Sequence, residues 1–336
     1  MTKTQAAEAI VREFPGYPSR TLARFVVDRT PGIFRDVEDA RRFIRVLRGN
    51  YGKAKHGARK DLVRAPGAPS DGVYPMPDPI EEEASSWKVR KFEFDECLML
   101  SDIHVPFHNK IALEATLAHG ESRNPDLVYL NGDIVDFYCT SFFDKDPRRR
   151  FRLATEIEYL KAFLEHLRDR FPKARIVYKE GNHEERFARM VWKDCPELAS
   201  VLTPGGAPCT DLRLILGLDD FGIEHIGNKQ PALLGKHLYV LHGHEFRAPM
   251  TNPVNPARGL FLRTKTNAIC GDMHQTSHHS EAGMENVISC WSLGCLCNLR
   301  PLYMPLNKWN HGFAVVESHK GDWSVENHKV INGKVV

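Results

Sequence analysis

The sequence predicts an α/β protein with a small all-α module at its N-terminus, on three observations. Up to about residue 50, apolar residues recur at helical spacing among an excess of arginines. From about residue 91, short apolar runs alternate with amphipathic helical stretches. Five of those runs end directly in a polar cluster rich in Asp and His. With 42% hydrophobic and 26% charged residues over 336 positions, the composition is that of a globular protein. That excludes disorder, collagen-like structure and a disulfide scaffold for the bulk of the chain. No apolar run nears the ~20 residues of a membrane span. The polar N-terminus MTKTQAAEAIVREF lacks the apolar core of a signal peptide. A cytoplasmic location without a membrane partner is therefore expected. The eight cysteines form no CxxC pair, and most lie in apolar stretches such as ECLML and AICGD, as reduced core residues do.

Three segments follow from composition: a basic three-helix module over 1–50, a Pro/Gly-rich linker over 51–90, and a catalytic-type domain over 91–336. Residues 1–64 carry 15 Lys+Arg against 7 Asp+Glu, whereas the remainder carries 31 against 36. A net +8 and a net −5 thus hide beneath a total of +3. The first helix is expected over about Thr4–Phe14, with Ala7, Ile10 and Val11 on one face. The second starts after Ser19 as N-cap and carries Leu22, Phe25 and Val26. After the turn Thr30-Pro31-Gly32, the third spans about Asp36–Arg48, with Val37, Ala40, Phe43, Ile44 and Leu47 at helical spacing. Arg41, Arg45 and Arg48 fall at i, i+4 and i+7 as a basic stripe, with Arg42 beside it. Three short helices ending in an arginine-rich one suggest a helix-turn-helix-like module that contacts nucleic acid. The competing reading is an ordinary solvated basic face.

In the larger domain the expected strands are Cys97–Leu100, Leu127–Leu130, Arg175–Tyr178, Leu238–Leu241, Ala268–Cys270, Val287–Trp291 and Phe313–Glu317. Helices are expected over Lys110–Glu121 after Asn109 as cap, Leu153–Arg170 and Glu184–Val191. The polar clusters at the strand ends read SDIH, NGDIVD, EGNHEE, LHGHEF and CGDMH. They contribute Asp102 and His104, Asp133 and Asp136, Asn182 and His183, His242 and His244, and Asp272 and His274. In an α/β sheet the loops at strand C-termini gather at one edge, where ligands bind. Mixed imidazole and carboxylate donors suit Mn²⁺, Fe or Zn²⁺, and these are too many donors for one ion. Two divalent ions sharing a carboxylate is the natural reading.

Taken together, the five clusters resemble the calcineurin-like metallophosphoesterase superfamily, whose pattern runs D-x-H, GD-x-x-D, GNH-[DE], H and GH-x-H. The resemblance covers roughly residues 95–280. It implies a four-layer αββα sandwich with the site at the strand ends. It also implies that Asp102, His104 and His274 hold one metal, that Asn182, His242 and Asp272 hold the other, and that Asp133 bridges them. One departure stands out: Gly271-Asp272-Met273-His274 has Asp where the family usually has His. A carboxylate is harder than imidazole and tilts the site toward Mn²⁺ or Mg²⁺. Mn²⁺ is the first expectation, with Fe, Zn²⁺, Mg²⁺ and Ni²⁺ as alternatives. Two ions about 3.5–4 Å apart would lower the pKa of a bridging water for in-line attack on phosphorus. His183, beside Asn182, would supply the leaving group's proton, with Asp136 orienting it and favouring its cationic form. His244 matches no ligand position of the pattern and is expected to face substrate or support the ligands.

Ser/Thr phosphoprotein phosphatases of this superfamily carry Arg directly after the second Asp, where this chain has Phe137-Tyr138, so that substrate class is not expected. The stretch after Asp136 combines Phe137, Tyr138, Phe142 and Phe143 with Arg148, Arg149, Arg150 and Arg152. Aromatics stack bases and arginines follow phosphates, and Arg186 is a further candidate grip on phosphate. The tail GCLCNLRPLYMPLNKWNHGFAVVE and the N-terminal module resemble phage-associated and bacterial members related to DNA-repair exonucleases. The expected activity is therefore a two-metal phosphodiesterase, a nuclease on DNA or RNA. The alternative is a phosphomonoesterase or small nucleotide phosphodiesterase, with the N-terminal helices used for homo-oligomerisation.

Overall fold

Apolar side chains at three- and four-residue intervals bring the first three helices together. The structure, a computed structural model, describes residues 1–49, 88–146, 152–246, 254–320 and 322–336. Helices α1 (Lys3–Glu13), α2 (Ser19–Arg29) and α3 (Val37–Leu47) share one core of Ala7, Ile10, Val11, Leu22, Val26, Ala40, Ile44 and Leu47. Thr2 and Gln5 form a capping box at the start of α1. Asp36 caps α3 by accepting from the Asp39 backbone at 2.8 Å. At α2 the helix already includes Ser19, and Pro18 takes the cap position without a side-chain bond. A proline ring presets the entry angle that the hydroxyl was expected to fix. These helices form one compact unit, and the two sheets form a second. Of the expected linker over 51–90, residues 51–87 lie outside the described residues.

The second unit opens with β1 (Arg90–Phe92), β2 (Glu96–Leu100), α4 (Lys110–Arg123) and β3 (Leu127–Asn131). Then come α5 (Leu153–Arg170), β4 (Arg175–Lys179), α6 (Asn182–Asp194), α7 (Leu212–Leu216) and β5 (Ile223–Ile226). Next are β6 (Ala232–Leu234), β7 (Leu238–Leu241), α8 (Pro256–Thr264), β8 (Ala268–Cys270), β9 (Ser277–Ala282) and β10 (Val287–Ser292). The chain ends in β11 (Gly312–His319), β12 (Asp322–Ile331) and β13 (Lys334–Val335). A seven-stranded sheet runs β13-β12-β11-β2-β3-β4-β5 and a six-stranded sheet runs β1-β6-β7-β8-β10-β9.

Alternation along the central strands sorts side chains into layers. Leu98, Leu100, Val128, Leu130, Ile176 and Tyr178 pack toward α4, α5 and α6. Their neighbours Cys97, Met99, Leu127, Tyr129 and Val177 meet Leu234, Val240 and Ile269 of the other sheet. The far face of that sheet packs Leu241, Ala268, Cys270 and Cys290 against Ala257, Leu260 and Phe261 of α8. The order is helices, sheet, sheet, helix, the expected four layers. Strands β2 to β5 are mutually parallel, as are β7, β8 and β10. Both sheets therefore present C-terminal strand ends.

Candidate metal centre

Three of the five strands that feed the site, β2, β3 and β8, break into a sharp turn. Asp102, His104, Asp133, Asp272 and His274 all adopt left-handed backbone, with φ between 53° and 62°. That conformation costs a non-glycine residue roughly 1–3 kcal/mol and persists only when its surroundings impose it. Here they do. The Asp102 amide donates to the Gly132 carbonyl and the His104 amide to the Asp133 carbonyl, at 3.1 and 3.0 Å. The Asp272 amide donates to the Asp102 carboxylate at 3.1 Å, tying the second sheet to the first. Gly132 has φ +84°, and a Cβ there would meet His242 Nδ1 at 2.5 Å.

Two carboxylates, the buried Glu184 and the largely buried Glu245, shape these loops, and neither was foreseen from sequence. Glu184 accepts from the backbone amides of Gly181, Asp133 and Ile134 at 2.8, 3.0 and 2.9 Å and from the Tyr178 hydroxyl at 2.8 Å. Helix α6 accordingly starts at Asn182, two residues before its expected start, with Glu184 closing its first turn. Glu245 does the same for the next loop. It accepts from the His242 and Gly243 amides and pairs with Lys179, which is 0% exposed, at 2.8 Å.

The side chains converge in two groups around Asp133. In the first, His274 Nε2 lies 3.1 Å from Asp102 Oδ1 and 3.3 Å from His104 Nε2, and His104 Nε2 lies 3.9 Å from Asp133 Oδ2. In the second, His242 Nε2 is 3.3 Å from Asp133 Oδ1 and 3.8 Å from Asp272 Oδ1. The Asn182 side-chain amide sits 3.1 Å from His242 Nε2, 3.2 Å from Asp133 Oδ2 and 3.0 Å from Asp272 Oδ1, with its nitrogen donating to these groups. A bound cation would instead take the carbonyl oxygen of that amide, which a rotation of the amide group brings to the same point. Charge tells the same story. Burial, and then crowding by Asp133 and Asp102 against the pull of His242, pushes the Asp272 carboxyl up to about 6. Burial pulls the His242 imidazole down, yet Asp133, Asp102 and Asp272 outweigh it and raise it well above its usual value. The His242 Nδ1 faces the Asn131 carbonyl at 2.7 Å, which turns Nε2 toward the carboxylates. This donor set fits divalent cations.

His183 stands at the rim of the cluster. Its Nδ1 contacts the Asp136 carbonyl at 2.8 Å, and its Nε2 lies 2.7 Å from Arg186 Nη2 and 3.5 Å from Asp133 Oδ2. Asp136 Oδ1 lies 3.3 Å from His183 Nδ1 and 3.0 Å from His104 Nδ1, so one carboxylate orients both rings. Burial opposes ionisation of Asp136, but bonds from His104 and His183 hold it well below the usual carboxylate range. Beside Asn182 opens a cleft of about 1000 Å³, lined by Phe142, Phe143, Arg186, Arg189, Lys193 and His244 among others. His244 bonds to Asn228. Of the aromatics expected to face a ligand, Phe137 is instead in the core, because a left-handed backbone turns it inward. Arg148 and Arg149 lie outside the described residues. In the N-terminal unit Arg42 is exposed and Arg41 bonds to Glu38. Arg48 donates to the carbonyls of Tyr17 and Pro15 at 2.8 and 2.7 Å, tying the α1–α2 turn to α3.

The calcineurin-like phosphoesterase family model matches residues 97–279, just over half of the chain and all five clusters. The chain belongs to that family. As a calcineurin-like phosphoesterase it is a hydrolase, and its family and donor set imply divalent metal ions. It is 24% identical to the Gene 54 protein of Mycobacterium phage L5 over 230 residues, 65% of this chain and 87% of that one. Among solved structures it is similar to zinc-complexed Vps29 from Entamoeba histolytica, at 11% identity and a TM-score of 0.37. That match covers 72% of this chain and 96% of the other. A dimetal phosphatase from Danio rerio, also 11% identical, matches with a TM-score of 0.35 over 72% and 97%. Among the described residues, no helix of this phosphoesterase is long and apolar enough to cross a membrane.

Proposed function

We propose that this phosphoesterase is a two-metal phosphodiester hydrolase acting on nucleic acid. The cleft carries the reading. At about 1000 Å³ it is large for a simple phosphate monoester. Phe142 and Phe143 stand on its wall 78% and 62% exposed, with ring centroids 4.2 Å apart. Exposed paired aromatics beside Arg186, Arg189 and Lys193 are the combination that stacks bases and follows a phosphate backbone.

In this reading Asp102, His104 and His274 hold one ion and Asn182, His242 and Asp272 the other, with Asp133 shared. When bound, the ions supply Lewis-acid polarisation of the phosphoryl group and a water acidic enough to attack it. The chain does the rest. Arg186 presents its guanidinium at the mouth of the site, where it engages the phosphoryl oxygens. The Asp136 carbonyl fixes the His183 ring through Nδ1, while Nε2 accepts from Arg186 Nη2 at 2.7 Å. Once Arg186 turns to the phosphoryl oxygens, Nε2 is free to carry a proton and donate it to the departing oxygen. Burial pulls His183 down, but Asp133 and Asp136 outweigh it and raise its pKa, which favours the proton-bearing form.

The test is hydrolysis of bis-p-nitrophenyl phosphate, p-nitrophenyl phosphate and labelled single- and double-stranded DNA and RNA in the presence of Mn²⁺. Cleavage of the diester and of at least one polynucleotide is expected. Cleavage of the monoester alone would overturn the reading in favour of a phosphomonoesterase. His183→Ala should slow polynucleotide cleavage by about 10²–10⁴-fold, the usual worth of general acid catalysis, and p-nitrophenyl esters far less. Equal losses on both would remove His183 from the proton-donor role.

A further inference from the structure

A metal-ligating imidazole uses one ring nitrogen for the ion and needs an acceptor on the other to fix its orientation. For His242 that acceptor is the Asn131 carbonyl and for His104 it is the Asp136 carboxylate. His274 differs. Its Nε2 faces Asp102 and His104, and its Nδ1 faces the sulfur of Cys297 at 3.9 Å. Cys297 is 4% exposed, and two positions away the buried Cys295 directs its thiol to the Asn310 carbonyl at 3.7 Å.

The segment that carries the two thiols is fastened to the same loops. The Leu296 amide donates to the Asp102 carbonyl at 3.0 Å, and the Asn310 amide to the His274 carbonyl at 2.9 Å. The Cys295 carbonyl accepts from Gly312, and the Cys297 carbonyl contacts His311 Nε2 at 3.0 Å. Leu296, between them, points the other way into the helix-side core. Alternation thus places Cys295 and Cys297 on the face opposite Leu296, with the Cys297 sulfur against His274.

We propose that Cys297 is the positioning residue for His274, a sulfur acceptor where the other ligand imidazoles have oxygen. The inference rests on His274 being a ligand, as assigned above. Sulfur accepts from Nδ1–H and holds the ring so that Nε2 stays aimed between Asp102 and His104.

The test is metal binding, read by calorimetry and metal content on the purified full chain stripped of metal and titrated with Mn²⁺. Cys297→Val keeps the volume and removes the acceptor. It should weaken one of the two binding events about 10–100-fold, the usual effect of losing an outer partner of a ligand, and leave the other unchanged. Cys297→Ser restores an acceptor and should recover most of that loss. Thermal unfolding of the metal-free variants identifies any that fail to fold. Wild-type affinity for both ions in a folded Cys297→Val protein would overturn the proposal. So would a sulfur-to-metal charge-transfer band in the Co²⁺-loaded wild type, since the thiol would then be a ligand itself. His274→Ala serves as the separate control: if it binds both ions normally, the ligand assignment has failed and not the role of the sulfur.

Discussion

At the level of single residues, the Glu184 carboxylate holds the centre's shape. Replacing one of its oxygens by an amide nitrogen turns a donor toward backbone amides that need acceptors. Glu184→Gln should therefore destabilise the metal-free protein by roughly 2–4 kcal/mol, measured by urea denaturation. It should also weaken metal uptake, because Asp133 is held by the same bonds. Asp133→Ala should abolish binding of both ions at any accessible concentration, whereas Asp272→Ala should cost one. Metal content after dialysis distinguishes these outcomes. The ligand candidates were legible in sequence because each pair sits in one short loop directly after a strand. Glu184 and Glu245 were not, although both lie inside quoted motifs. Their work is done on backbone amides, some about 50 positions away, and no local pattern announces that. Nothing in the sequence marks Cys297 as a neighbour of His274, since that proximity arises only once β10 and the segment after it are folded.

At the level of elements, several of the legible strands are buried on both faces. Cys97–Leu100, Leu127–Leu130 and Leu238–Leu241 read as apolar runs because each is covered from two sides. The strands β9, SHHSEA, and β12, DWSVENHKVI, went unseen because an edge or half-exposed strand carries polar residues and mimics a loop. The N-terminal helices were legible from spacing alone, since one shared core enforces a strict period. In the third helix, Arg48 closes the α1–α2 turn through carbonyls of that turn, so Arg48→Ala should lower the unit's stability by about 1–3 kcal/mol. If the helices serve nucleic acid, Arg42→Ala should instead leave stability unchanged and weaken polynucleotide binding. Deleting residues 1–64 should leave small-ester hydrolysis intact while reducing polynucleotide affinity. Unchanged affinity, measured by fluorescence anisotropy at fixed salt, would exclude a role for the module in substrate delivery.

At the scale of the whole molecule, the charge split acquires a physical meaning. The −5 of residues 65–336 includes carboxylates crowded into one cluster, so the metal-free state bears a repulsion that divalent ions relieve. Two features described separately meet here: the candidate ligands come from the ends of β2, β3 and β4 in one sheet and of β7 and β8 in the other. Ions held among them would cross-link two layers that otherwise meet through apolar side chains and a few polar bonds, such as that from the Asp272 amide to the Asp102 carboxylate. The centre would then act as a rivet as well as a reaction site. Metal loading should slow hydrogen exchange at the β3 and β7 strand ends together, and midpoint temperature should climb with the logarithm of ion concentration. In energy, that is about 1.4 kcal/mol for each tenfold excess over the dissociation constant.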